Sequence, residues 1–112
     1  VANQQSHNTQ LLNITSIECP GLGIQSLGGL ENLTSLTQIV LHDNQISDIS
    51  PLGGLTNLSQ LELQLNDISD IGPLVNLTNL TYLYAWSNRI SNVKALSNLS
   101  NLEFLYLLEN YN

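Results

Sequence analysis

The sequence predicts a solenoid: one short unit repeated along the chain, with a parallel β-sheet built from its strand segments and 3₁₀ turns from the rest. Three observations carry this reading. Apolar residues recur every 22 positions, so that Leu33, Leu36, Ile39, Leu41, Ile46, Ile49 and Leu52 are followed by Leu55, Leu58, Leu61, Leu63, Ile68, Ile71 and Leu74. Asn44, Asn66, Asn88 and Asn110 form one column of that frame. The frame runs from Leu11 to the end of the sequence without insertion or deletion.

At 112 residues the chain has the length of one domain. Residues 1–10, VANQQSHNTQ, are polar and aperiodic, and read as a lead-in or the remnant of an N-terminal cap. With neither a basic start nor an apolar core, they are not a signal peptide. The first copy places Leu11, Ile14, Ile17, Cys19, Ile24, Leu27 and Leu30 in the frame. Further copies begin at Leu33, Leu55 and Leu77, and a partial one at Leu99, where Asn112 takes the place of Ile46, Ile68 and Ile90. Residues 11–112 are therefore an array of four full repeats and one partial repeat, expected to be a fragment of a longer chain.

Each copy has two parts. Around Ile39-Val40-Leu41, apolar and exposed residues alternate with the period of a strand. Every circuit runs the same way round, so the five strands are parallel. The stretch from Ser47 to Leu55 is too short for a full helix. Pro51 has a fixed φ and no donor, which suits the start of a 3₁₀ turn. Pro73 repeats it, whereas Gly29 and Ala95 do not. Asp48 and Asp70, three residues before the prolines, are expected to accept backbone N–H groups at the turn. A metal site would need carboxylates clustered at ligand spacing, and the sequence has none. The asparagine column is expected to satisfy backbone groups of its own and the adjoining copy. Leu22 replaces asparagine in the first copy, so this ladder should end there.

The charge balance excludes some partners. Nine acidic residues face only Arg89 and Lys94, for a net charge of -7. Nucleic acid and anionic lipid both call for clustered Lys and Arg. No apolar run approaches the roughly 18 residues of a membrane helix, so no direct membrane insertion is expected.

The pattern L-x-x-L-x-x-L-x-L-x-x-N-x-I-x-D-I-x-P-L resembles the 22-residue leucine-rich repeat of bacterial internalins, and covers the chain from Leu11 onward. The D-I-x-P-L segment, at Asp48–Leu52 and Asp70–Leu74, fits this bacterial type better than the repeat of intracellular phosphatase-regulating proteins. The resemblance implies a leucine-rich-repeat solenoid with the parallel β-sheet on its concave face and 3₁₀ turns on its convex face. It also implies extracellular adhesion or recognition, at a cell surface or as a secreted protein. Internalins carry a helical cap and an immunoglobulin-like region that this sequence does not contain. Cys19, at the strand-core position of Leu41 and Leu63, is therefore either a small buried hydrophobe or one half of a disulfide to such a cap.

Between the core positions of each strand, side chains face outward on the concave side. The successive rows are Ser16, Glu18, Pro20; Gln38, Val40, His42; Gln60, Glu62, Gln64; Tyr82, Tyr84, Trp86; and Phe104, Tyr106, Leu108. Of the six aromatic residues, five fall in this patch, the sixth being Tyr111. Strands about 4.8 Å apart would put Tyr82 beside Phe104 and Tyr84 beside Tyr106. Such a platform is either a binding surface or aromatic stacking that serves the sheet's own stability. The candidate partner-binding residues are Tyr82, Tyr84, Trp86, Phe104 and Tyr106, with Gln60, Glu62 and Gln64. Glu18 and Glu62 flank the rings and Asp43 and Glu109 lie near the strand ends, a field that favours a basic partner. Rings beside acids and amides also suit sugar faces. Ala85 takes the strand-core position held by Leu41, Leu63 and Leu107, between Tyr84 and Trp86, and points to the same place.

No catalytic constellation is present. His7 lies in the lead-in, His42 on the sheet surface, and Cys19 faces inward, so no nucleophile has a positioned base. Gly28-Gly29 and Gly53-Gly54 are turn residues rather than a phosphate loop. No Cys/His metal spacing exists and no cofactor is implied. Sequons at Asn13, Asn32, Asn57, Asn76, Asn79 and Asn98 arise mostly from the repeat text itself. The sequence thus points to a non-catalytic recognition or adhesion module for a protein or glycan. The alternatives are an intracellular protein-binding scaffold, and a structural spacer or filament unit whose open edges self-associate.

Overall fold

A computed structural model describes residues 12–110. The lead-in with His7, the first frame residue Leu11, and Tyr111 and Asn112 lie outside the described residues. Five strands form one sheet in sequence order: β1 Ser16–Glu18, β2 Gln38–Val40, β3 Gln60–Glu62, β4 Tyr82–Tyr84 and β5 Phe104–Tyr106. All neighbours are parallel, and each residue pairs with the one 22 positions on, as Leu61 does with Leu83. The fold is the leucine-rich-repeat solenoid that the repeat text predicts.

The ladder continues past the assigned strands. Leu41 N–H donates to Glu62 O at 2.9 Å and Asp43 N–H to Gln64 O at 3.1 Å, and the later repeats copy both bonds. At the end of this extension the chain turns through a left-handed residue. Asp43, Leu65, Ser87 and Glu109 all have φ between 55° and 61°, and Gly21 holds the same column at 66°. Side chains other than glycine seldom adopt this region, so the repeat geometry imposes it.

Four 3₁₀ turns return the chain: η1 Leu30–Asn32, η2 Ser50–Leu52, η3 Gly72–Asn76 and η4 Lys94–Leu96. Proline opens η2 and η3, as its fixed φ and missing donor require. Asp48 accepts the Ser50 N–H at 2.9 Å and Asp70 the Gly72 N–H at 2.8 Å. Asn92 and Ser26 do the same at the matching places in their repeats. The first turn departs from the others. Gly29 takes the proline position with φ 102°, and η1 starts one residue after it, two places later in the frame than η2.

The core lies between sheet and turns as columns of leucine and isoleucine. Leu36, Ile39, Leu52, Leu58, Leu61, Leu74, Leu80 and Leu83 are fully buried. Each such side chain contributes roughly 1.5–3 kcal/mol of transfer free energy. The columns open at both ends: Ile17 and Cys19 are half-buried, and Leu105 is 42% exposed although Leu61 and Leu83 in its column are 0%. Ala85 is buried with its leucine-column neighbours, at 1% exposure.

The asparagine column forms a ladder through this core. Asn66 Oδ1 accepts the Ile46 N–H, and its Nδ2 donates to the carbonyls of Leu41 and Leu63. Asn88 and Asn110 repeat the pattern one and two units on. Asn44 reaches back to the N–H groups of Leu22 and Ile24. Leu22 itself is 67% exposed and offers no amide to anything before it.

Candidate functional site

The parallel register fixes the outward rows of the sheet. Tyr82 and Tyr84 both leave β4 on one face, because residues two apart on a strand point the same way. Pairing of β4 with β5 sets Tyr82 opposite Phe104 and Tyr84 opposite Tyr106. The ring centroids are 5.4 Å apart in the first pair and 4.7 Å in the second, the latter edge to face. Tyr82 and Tyr84 lie 4.5 Å apart, with their hydroxyls in contact. Four rings therefore form one connected cluster, in the offset and edge-on geometries that aromatic quadrupoles favour. Phe104 is 50% and Tyr106 44% exposed, while Tyr82, Tyr84 and Trp86 are half-buried. The Tyr82 hydroxyl, partial desolvation and the nearby Glu62 carboxylate push the Tyr84 phenol above the ordinary tyrosine range.

The polar candidates on β3 differ among themselves. Gln60 is exposed and Glu62 half-buried. Gln64 faces the same way but is only 8% exposed, flanked along its row by the bulkier His42 and Trp86. Its Nε2 donates to Glu62 Oε1 at 3.4 Å, and its Oε1 has no hydrogen-bond partner. Val40, another outward position, is covered as well, at 6% exposure. His42 Nδ1 meets Asp43 Oδ2 at 2.8 Å.

Two features of the face were not legible in the repeat text. Trp86, Tyr106, Leu108 and Glu109 line an open cleft of about 210 Å³ beside the ring cluster. Glu109 is held there by its left-handed backbone and by the Ser87 hydroxyl, which donates to Glu109 Oε2 at 3.3 Å. Gly21, in the same column, was the only residue whose type announced that backbone.

Other surfaces offer less chemistry. A wider groove of about 320 Å³ lies between η3 and η4, lined in part by Asp70, Asn92 and Lys94. There Asp70 and Asn92 are already engaged as turn acceptors. A shallow apolar groove of about 170 Å³ at the β1 end includes Cys19, which has no disulfide partner within this chain. Among the described residues no group of three or more His, Cys, Asp or Glu could hold a metal ion, and no helix is long and apolar enough to cross a membrane.

Comparison with known proteins agrees with this architecture. The leucine rich repeats (2 copies) family matches residues 34–76 and 78–112. The internalin InlF of Listeria monocytogenes superposes with a TM-score of 0.84 and 41% identity, over 85% of this chain and 28% of its own. The functional domain of InlJ from Listeria monocytogenes, described as including a cysteine ladder, gives 0.78 and 32%, over 88% of this chain and 21% of its own. Cys19 is the single cysteine here, so this chain has no such ladder. The chain spans between a fifth and a third of those structures. No curated protein matches it. Such repeats form a protein-interaction module, in a family that is generally non-enzymatic. The chain belongs to the leucine-rich repeat family, and its repeats are of the bacterial internalin type.

Proposed function

We propose that the chain is a non-catalytic recognition module, secreted or displayed at a cell surface, that binds a protein or glycan through its concave sheet face. Tyr82, Tyr84, Trp86, Phe104 and Tyr106 form the contact surface, with Gln60 and Glu62 at its rim. Gln64, covered by its neighbours, holds Glu62 in place.

The observation that carries this reading is the gathering of five rings on one face, two of them about half exposed. Sheet stability alone is served by buried cross-strand pairs. Exposed Tyr, Trp and Phe at the end of an otherwise polar face are what interface hot spots are made of. Internalin-type repeats support the extracellular location.

The test is retention of partners from cell-surface protein extracts and a glycan array on immobilised protein. Replacing both Tyr84 and Trp86 by alanine should weaken a retained partner by about a hundredfold or more. Unchanged retention would exclude the ring face as the site.

A further inference from the structure

From the cleft at the end of the ring cluster we infer a specific chemistry for part of the partner: it receives the side chain of an arginine or lysine. This deepens the concave-face reading and rests on it.

Three observations point to a cation. First, the walls are aromatic. Trp86 and Tyr106 border the cleft, and Tyr106 is tied edge-on to Tyr84 at 4.7 Å. Indole and phenol faces carry the negative side of the ring quadrupole and attract a cation placed over them. Second, a carboxylate closes the rim. Glu109 is fixed by its φ of 61° and by the Ser87 hydroxyl at 3.3 Å. Third, no Lys or Arg among the described residues pairs with that carboxylate. The only two cations are Arg89 and Lys94, and neither lines the cleft. Apolar walls with one unbalanced charge at the mouth match a side chain with an aliphatic stem and a cationic head. A flat guanidinium, which stacks on rings and forks onto a carboxylate, matches better than an ammonium. With a net charge of -7, the chain also draws basic segments toward itself.

Trp86 is the only tryptophan, so its fluorescence and its indole N–H resonance report on this cleft alone. The protein is titrated with the hexapeptide Gly-Gly-Arg-Arg-Gly-Gly and with the same peptide carrying citrulline, an uncharged isostere, in place of arginine. The arginine peptide should shift both signals, with a response that weakens as salt is raised. The citrulline peptide should bind about tenfold more weakly or not at all. Glu109→Gln, an exposed position whose hydroxyl contact the amide can keep, should weaken the arginine peptide about tenfold while leaving the thermal midpoint unchanged. Equal responses to the two peptides, no effect of Glu109→Gln, or no response to arginine at millimolar concentration would overturn the inference. Binding of a full partner separates the two levels. If Tyr84→Ala abolishes it and Glu109→Gln does not, the concave face stands and the cation cleft falls. If neither matters, the concave-face reading falls as well.

Discussion

The carboxamide oxygen of Asn66 accepts the backbone N–H of Ile46 at 3.0 Å, across 20 residues of chain. The nitrogen of the same group donates to Leu41 O at 3.1 Å and Leu63 O at 2.9 Å. One side chain, 7% exposed, thus satisfies backbone groups in two consecutive repeats. Asn66→Leu keeps the size and strands the Ile46 N–H, while Leu41 O and Leu63 O keep their bonds from Asn44 and Asn88. At about 1–3 kcal/mol for a buried group left unpaired, it should destabilise the array by about that amount in urea unfolding. Asn66→Asp keeps the acceptor and loses the donor, and should also unfold at lower urea. Wild-type stability in that variant at neutral pH would show that the donated bonds contribute nothing.

Gln64 presents the opposite situation. Its Oε1 is buried without a partner. Gln64→Met removes that unpaired acceptor and keeps the length of the side chain, so the thermal midpoint should rise, by an amount equivalent to about 1 kcal/mol. A lower midpoint would mean that the amide's bond to Glu62 outweighs the orphaned oxygen.

Ala85 is 1% exposed in a column that holds leucine at Leu41, Leu63 and Leu107. If the layer is filled around the covered methyl group, Ala85→Leu should overpack it and cost about 1–3 kcal/mol. The strain falls between Tyr84 and Trp86, and the emission maximum of Trp86 should move with it. Increased stability would instead reveal an unfilled void.

Asp48 links the turns to pH. The Ser50 N–H at 2.9 Å, aided by the Ser50 side chain, holds the Asp48 carboxyl below the usual aspartate range. A carboxylate whose pKa is lower in the folded chain stabilises the fold above the unfolded pKa. That contribution is lost as the pH falls through the lowered folded value. An NMR titration should place the Asp48 midpoint below that of the same residue in the urea-unfolded chain. Coincident midpoints would remove the turn bond from the account of acid stability.

The fold was legible because translation by 22 residues gives every member of a column the same surroundings. Tyr82 beside Phe104 follows from that translation alone, as does the asparagine ladder. What escaped the sequence is whatever breaks the symmetry. Leu105 has the residue type of Leu61 and Leu83 but a neighbour on one side only, and nothing in its identity records this. Gln64 was read as an outward contact residue; it does point outward, but between its row neighbours His42 and Trp86 it is only 8% exposed. The left-handed column was disguised because Asp43, Leu65, Ser87 and Glu109 have side chains that do not advertise the backbone they sit on. The cleft at Glu109 depends on that backbone, so it was hidden with it.

The asparagine ladder also has a direction. Leu22 and Ile24 are served by Asn44, Ile46 by Asn66, Ile68 by Asn88 and Ile90 by Asn110. Every turn is therefore completed by the unit that comes after it. On the ribosome, the newest unit to emerge always has unbonded donors, and it locks only when the next asparagine has been synthesised and has left the exit tunnel. Each circuit can therefore complete its ladder only once the following circuit is in place.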